Sequence, residues 1–384
     1  MRTKMIYFDN AATTFPKPDE VCRQMTYFMK SCCANPGRGG HYLSRVAGDK
    51  INESRKNIAE FFGIKDSNRL IFTFNDTLAI NMAIHGTLHP GDHVITTVYE
   101  HNSVIRPLMK LSQRGVQVTV LKGNLNGEFD LEEFKRQIRL NTKLAAITAA
   151  SNVLGNVLPI NEIGHICREY GILLLVDGAQ GAGIVPMDVS KMNIDLLAFP
   201  GHKSLYGPMG TACLYIGERA DVDDIIQGGT GTVSESITQP KTFPERYESG
   251  TINAPGVWGV NAGLNFIKNK GISEIKKHEM ELVNMIIDEL SNLKGVTVLG
   301  PNMKDRVPIV SFNLKDMNSS EVSALLDKKF EIATRGGLHC AGLFHDMAGT
   351  AKQGAVRVSP GYFNKKLDVY KFINAVKKIL KQQL

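Results

Sequence analysis

The sequence predicts an α/β protein with a large domain on a mostly parallel, seven-stranded sheet and a smaller α+β domain after it. Three observations carry this. Short β-rich runs alternate with helix-periodic segments through the first two thirds of the chain, which places helices over both faces of a parallel sheet. The run from Ile172 to Val176 is apolar without a break, the pattern of a central strand. Near residue 259 the alternation stops, and a long amphipathic helix comes next, at about 273–293. At 384 residues the chain exceeds one compact core, so two domains are expected.

Strands are expected at 70–74, 93–98, 117–122, 143–149, 172–177, 195–199 and 211–216, with helices at 78–88, 103–113, 131–139 and 161–170. The second domain is expected to hold a helix at 273–293, strands at 296–299 and 309–313, a helix at 320–329, a strand at 355–358 and a final helix at 365–381. The boundaries that follow are 15–258 and 259–384, with 1–14 packing on the smaller domain or at the interface. The final helix is lysine-rich, with apolar positions at Leu367, Tyr370, Ile373, Val376 and Leu380. That spacing gives one buried stripe and a solvated cationic face.

Apolar content of 43% and charged content of 22% are those of an ordinary globular chain. No apolar run reaches the length of a membrane span, and the first residues lack the apolar core of a signal peptide. A cytoplasmic protein with no membrane partner is expected. The net charge of +7 comes with no aromatic-interleaved basic block, so nucleic acid is not an expected partner. Six cysteines are scattered without a C-x-x-C pair, which argues against a metal site. Cys167 and Cys213 lie in apolar periodic segments and are expected to be buried.

In open α/β sheets ligands bind beyond the carboxyl ends of the strands. Five of the predicted strand ends deliver polar residues: Asn75-Asp76-Thr77, Glu100-His101-Asn102, Ser151-Asn152, Asp177 with Gln180, and Gly201-His202-Lys203. An aspartate ending one buried strand and a lysine just past the next are what pyridoxal phosphate needs. The carboxylate keeps the pyridine nitrogen protonated, and the amine holds the aldehyde. The first turn of a helix at Asn75-Asp76-Thr77, with the Thr77 hydroxyl, can hold the phosphate; Asn75 or Asp76 also reads as a simple N-cap. Beside a phosphate dianion the Asp76 carboxylate is expected to point away. His101 can lie on the ring and shuttle protons. Asn152 can donate to the ring's phenolic oxygen, and His202 to the phosphate.

Cys340 stands in Thr334-Arg335-Gly336-Gly337-Leu338-His339-Cys340-Ala341-Gly342. Three glycines and two basic groups predict a mobile, electropositive loop that favours the thiolate. Arg357, ending an apolar alternation, is placed to grip a carboxylate by a bidentate pair, or to form a surface ion pair.

Together these residues resemble the cysteine desulfurases of the class V aminotransferase family, in their SufS-type branch. The likeness runs over nearly the whole chain, from Tyr7-Phe8-Asp9-Asn10-Ala11-Ala12 through Asn35-Pro36-Gly37-Arg38-Gly39-Gly40-His41 and Glu248-Ser249-Gly250-Thr251 to Arg335-Gly336-Gly337-Leu338-His339-Cys340-Ala341 and Arg357. The resemblance implies PLP fold type I and conversion of L-cysteine to L-alanine, with sulfur left on Cys340. It implies that Lys203 binds the cofactor aldehyde, Asp177 the ring nitrogen, and Asn152 and Gln180 the phenolic oxygen. His101 stacks on the ring, Thr77 and His202 hold the phosphate, and Arg357 takes the substrate carboxylate. Asn75 and Asp76 count with the cofactor site, and Arg38 and His41 with the substrate site. A homodimer is implied, in which Thr251 reaches the partner's phosphate, as is a sulfur-acceptor protein. L-selenocysteine is the alternative substrate; another class V transamination or β-elimination is a further one. Two departures stand out: Pro200 precedes Gly-His-Lys where the family often has Ser or Thr, and Ser204-Leu205 adds one residue between Lys203 and Tyr206.

Overall fold

In a computed structural model, residues 5–36, 39–303 and 305–381 are described. They open with a short strand, β1 (Ile6–Tyr7), and helices α1 (Asp19–Ser31) and α2 (Tyr42–Phe61). There follow β2 (Leu70–Thr73), α3 (Asp76–Thr87), β3 (His93–Thr97), α4 (Asn102–Ser112), β4 (Gln117–Leu121), α5 (Leu131–Arg136), β5 (Thr142–Thr148), α6 (Ile160–Glu169), β6 (Leu173–Asp177), β7 (Leu196–Pro200) and β8 (Ala212–Ile216). After a long irregular segment come α7 (Ala254–Lys270), α8 (Ile272–Ser291), β9 (Val296–Val298), β10 (Val310–Leu314), α9 (Ser319–Phe330), β11 (Ile332–Ala333), β12 (Arg335–Gly337), α10 (Gly342–Met347), β13 (Ala355–Val358) and α11 (Lys366–Lys381).

The large sheet has the order β2-β8-β7-β6-β5-β3-β4. Only β8 runs antiparallel to its neighbours, so the expected seven-stranded, mostly parallel sheet is present. The apolar run of β6 is explained by its two faces. Leu173 and Leu175 pack with α3 and α4 residues such as Ile80 and Leu108. Leu174 and Val176 pack with Ile58 of α2, Ile163 of α6 and Val260 of α7. Cys167 and Cys213 are buried, as expected.

A second, antiparallel sheet, β12-β13-β10-β9, packs on α8, α9 and α11 around Phe312, Leu326 and Phe372. The helix α7 runs unbroken through the expected boundary at 258/259 and lies against α1 and α2. At the amino-terminal end, β1 pairs in parallel with β11, while Gln180 donates to the Ala11 carbonyl at 3.0 Å. This segment therefore ties β11 to the loop that follows β6.

Two expectations are corrected. The buried stripe of α11 is Val369, Phe372, Ile373, Val376 and Ile379; Leu367 and Tyr370 are exposed. The helix is rotated so that its β-branched residues and Phe372, not Leu367 or Tyr370, face the core. Arg335–Gly337, expected as part of a mobile loop, is a strand paired with β13. A side chain at Gly336 would collide with the Ser319 carbonyl, so this glycine permits close packing and is not a hinge.

Candidate active site

The carboxyl ends of β2, β3, β5, β6 and β7 open on one cavity. It is lined by Asn75, Asp76, Thr77, His101, Ser103, Thr148, Ala150, Asn152, Asp177, Ala179, Gln180, Pro200, His202 and Lys203. Of the residues singled out from sequence, nine of the ten in the cofactor set, all but Thr251, meet here.

The α3 end is a helix start made by Asn75, whose Oδ1 accepts the Leu78 N–H at 2.9 Å. Asn75 therefore serves as the cap, leaving the first-turn N–H groups and the Thr77 hydroxyl toward the cavity. The Asp76 carboxyl lines the cavity and does not point away. Its Oδ1 is sealed from solvent without a hydrogen-bond partner. Burial, and next the Asp177 charge, push this carboxyl well above the usual range, with Lys203 opposing.

Asp177 ends β6 and is buried, with Oδ1 accepting the Ala179 N–H at 2.8 Å. Burial raises its pKa, and Lys203 pulls it back. Lys203 in turn is held below the ordinary lysine value, chiefly by burial. His101 caps α4: its Nδ1 accepts the Ser103 N–H at 3.0 Å, so the ring proton belongs on Nε2. Burial and then the Lys203 charge lower His101 to about 4, and burial and Lys203 do the same to His202. Both imidazoles are neutral at pH 7.

Cys340 is exposed at the rim. Its carbonyl accepts the Asn102 N–H at 2.7 Å, and the His339 carbonyl accepts from Asn152 Nδ2 at 2.6 Å. His339 (φ 50°) and Cys340 (φ 58°) are consecutive left-handed residues, a conformation that costs about 1–2 kcal/mol per residue. These bonds, with the turn from Ala341 N to Leu338 O at 2.9 Å, hold it in place. The segment is thus docked rather than free. The His339 ring, 3% exposed, meets the Ala355 carbonyl through Nε2 at 2.9 Å, and burial lowers its pKa to about 2. It is neutral, so the expected second cation beside the thiol is absent and Arg335 remains.

Arg357 is buried, which excludes the surface-pair reading. Nη1 donates to the Asn152 carbonyl and Nη2 to Asp9 Oδ1, each at 2.9 Å; Nε has no partner. His41 lies outside the cavity, exposed, capping α2 through the Ser44 N–H at 3.3 Å. Thr251 is exposed in a separate groove with Asn35, Pro36 and Arg55. Arg38 lies outside the described residues.

Three contributors were not singled out from sequence. Asp9 pairs with Arg357. Glu100, raised to about 8 by burial, accepts from the Thr97 hydroxyl at 2.8 Å and the Thr148 N–H at 3.0 Å, tying β3 to β5. Lys17, lowered to about 8 by burial, donates to the His202 carbonyl at 2.6 Å. Asp9 and Glu100 stood inside quoted motifs. Lys17 gave no signal, because its partner is a backbone carbonyl far along the chain.

Pyridoxal phosphate fits this set. Asp76 Oδ1, Asn152 Oδ1 and His202 Nδ1 are buried and unpartnered around the cavity, where a ligand with a phosphate and a polar ring edge would meet them. An amine and a buried carboxyl stand opposite.

Residues 6–372 match the aminotransferase class-V family, and the chain belongs to that family of pyridoxal phosphate-dependent enzymes. Within it, the relatives are cysteine desulfurases. A probable cysteine desulfurase of Methanothermobacter thermautotrophicus is 35% identical over 366 residues, covering 94% of this chain and 90% of the relative. A cysteine desulfurase of Yersinia pestis is 32% identical, covering 98% and 94%. The apo structure of cysteine desulfurase from Thermococcus onnurineus superposes with a TM-score of 0.91 at 33% identity, covering 98% and 95%.

Proposed function

We propose that this chain converts L-cysteine to L-alanine and carries the released sulfur as a persulfide on Cys340. The observation that carries this reading is the docking of an exposed thiol beside the cavity that holds Lys203 and Asp177, by bonds to Asn102 and Asn152. A transaminase or β-eliminating enzyme of the same family has no use for a thiol there.

The cofactor, when bound, supplies an electron-accepting ring. Lys203 Nζ, held below its ordinary pKa by burial, holds it and then takes and returns the Cα proton of the substrate. Asp177 keeps the ring nitrogen protonated. His101, neutral and fixed by Ser103, presents Nε2–H over the cavity. The Arg357 guanidinium orients the substrate carboxylate with its unpartnered Nε. The Cys340 thiolate attacks the substrate sulfur. The S–S bond forms as the C–S bond breaks, the sulfur is oxidised and Cβ is reduced, and the proton that completes alanine comes through Lys203.

Thr251 supports a homodimer: it is exposed away from its own cavity, beside an irregular segment that leaves Ile225, Ile226, Val233 and Ile237 in solvent. There it can complete a partner's phosphate site. An acceptor protein would take sulfur from Cys340 at the exposed rim. Six unpaired cysteines suit a reducing cytoplasm, and among the described residues no helix is long and apolar enough to cross a membrane.

The test is alanine release from L-cysteine with mass spectrometry of the protein. One added sulfur on the Cys340 peptide is expected. Added mass on Cys22, Cys32, Cys33, Cys167 or Cys213 instead would falsify the assignment, and a far faster reaction with L-selenocysteine that survives Cys340→Ala would favour the selenium substrate.

A further inference from the structure

We propose that Asp76 carries a proton when the cofactor's phosphate is seated, and donates its O–H to a phosphate oxygen. This rests on the reading that pyridoxal phosphate occupies the cavity.

Asp76 is the first residue of α3, so its backbone N–H and its carboxyl both stand at the end of the helix where an anion is welcome. The carboxyl lines the cavity together with Thr77 and His202. Its Oδ1 is sealed from water and makes no hydrogen bond. An ionised carboxyl has only acceptor oxygens, and so does a phosphate dianion. In one sealed space the two repel and leave lone pairs facing lone pairs. A protonated carboxyl removes the repulsion and converts the orphaned oxygen into a donor for which the phosphate is the natural acceptor.

The surrounding charges favour the proton. Asp177 of β6 faces Asp76 with a second carboxyl, and Lys203 after β7 faces both. Behind Asp76, Cys213 of β8 is an uncharged thiol that also feels the Arg55–Glu248 pair. His202 is neutral, with Lys17 next to it. Among the described residues the one cation directly opposite Asp76 is Lys203, which Asp177 shares. Entry of a phosphate adds negative charge to a cavity that already has two carboxyls to one ammonium. The Pro200 that lines the same cavity has neither hydroxyl nor N–H to offer, which leaves a donor role for Asp76 to fill.

Equilibrium binding of 4′-deoxypyridoxine 5′-phosphate and of 4′-deoxypyridoxine to the full chain tests this. Neither probe has an aldehyde, so Lys203 linkage does not intervene, and the ratio of their affinities isolates the phosphate. A group that must be protonated in the complex makes affinity fall as pH rises, by up to tenfold per unit, once pH passes the group's pKa in the free protein. Lys17 contributes a decline common to every variant; Lys203 feels the Asp76 charge, so the slopes are also compared in a Lys203→Ala background, which aldehyde-free probes allow. The wild type should decline more steeply than Asp76→Asn, which keeps the shape and the donor without the titration. Asp76→Ser gives a second neutral comparison should Asn fail to fold. Equal slopes in wild type and the neutral variants overturn the proposal. If the wild type binds neither probe, the cofactor reading itself fails, and the proposal with it.

Discussion

The cavity wall formed by the large sheet and the wall formed by the small domain are held by different forces. Asp177 ends β6 and Lys203 lies just past the end of β7, strands buried along their whole length. Their positions follow from apolar packing on both faces of a sheet. Cys340 stands on a short, conformationally strained turn whose place is set by individual polar bonds. The loop opposite is held in the same way. Its carbonyls at Asn152, Val153, Leu154 and Gly155 accept from Arg357 Nη1 at 2.9 Å, Ser311 Oγ at 2.6 Å, Arg306 Nη2 at 3.3 Å and Val307 N at 2.8 Å. The wall that holds the cofactor is thus set by burial, and the turn that carries the thiol by hydrogen bonds from Asn102 and Asn152, whose own loop is held by bonds from Arg306, Val307, Ser311 and Arg357.

If the walls are separable, deleting one function should spare the other. Lys203→Ala should abolish alanine release, by about a thousandfold or more as expected for a proton-transfer residue, and should lose the borohydride-reducible linkage to the cofactor. Cys340→Ala should lose cysteine turnover to a similar degree yet keep the cofactor's visible absorption and the linkage. Loss of cofactor in Cys340→Ala would show that the walls are one unit.

Arg357 spans both walls, so its deletion should be smaller but mixed. Loss of a charged contact of this kind is worth about 2–3 kcal/mol, or roughly a hundredfold in kcat/KM. Arg357→Ala also leaves Asp9 unpaired and frees the Asn152 carbonyl. Arg357→Lys should not restore activity, because an ammonium cannot serve Asp9, Asn152 and a substrate carboxylate together. An unchanged kcat/KM would confine Arg357 to its pair with Asp9.

Acid should act on the small-domain wall as well. His339 sits at about 2, and His101 and His202 at about 4, against about 6.5 in an unfolded chain. On acidification the unfolded chain binds protons first. The stability these groups contribute is therefore complete above about pH 6.5 and is lost as pH falls toward 4. His339→Gln, which can still donate to the Ala355 carbonyl, should show a shallower fall in Tm between about pH 7 and about pH 5. A slope equal to wild type would move the acid sensitivity to the other two histidines.

The same division explains what could be read from the sequence. The seven strands of the large sheet were legible because each is a short apolar run between turn residues, and five of their ends displayed polar groups together. Cys340 and Arg357 were legible as chemistry but not as geometry. Three glycines suggest a mobile loop, whereas Gly336 is small because α9 lies against its backbone. His339 read as a cation, whereas contact with the Ala355 carbonyl and burial keep it neutral. Both depend on partners distant in sequence, Ser319 for Gly336 and Ala355 for His339, which local pattern cannot supply. A phosphate alone would turn the Asp76 carboxyl away, whereas the Lys203 ammonium opposite draws it toward the cavity.

The smallest expected effect is also the sharpest comparison. Ser311 is fully buried on β10 and donates to the Val153 carbonyl at 2.6 Å. Ser54 is fully buried on α2 and donates to the Lys50 carbonyl at 2.8 Å. Each Ser→Ala change removes one neutral hydrogen bond and should cost about 1 kcal/mol of stability, read as similar small decreases in Tm. Only Ser311 belongs to the chain of bonds that fixes the loop bearing Asn152, and through it the His339 carbonyl beside Cys340. Ser311→Ala should therefore slow persulfide formation on Cys340 severalfold with KM little changed, and Ser311→Thr, which keeps the hydroxyl, should recover most of the rate. Ser54→Ala should leave the rate alone. If the two alanine variants lose stability alike and neither alters the persulfide rate, the thiol is placed by packing after all, and the contrast between the two walls fails.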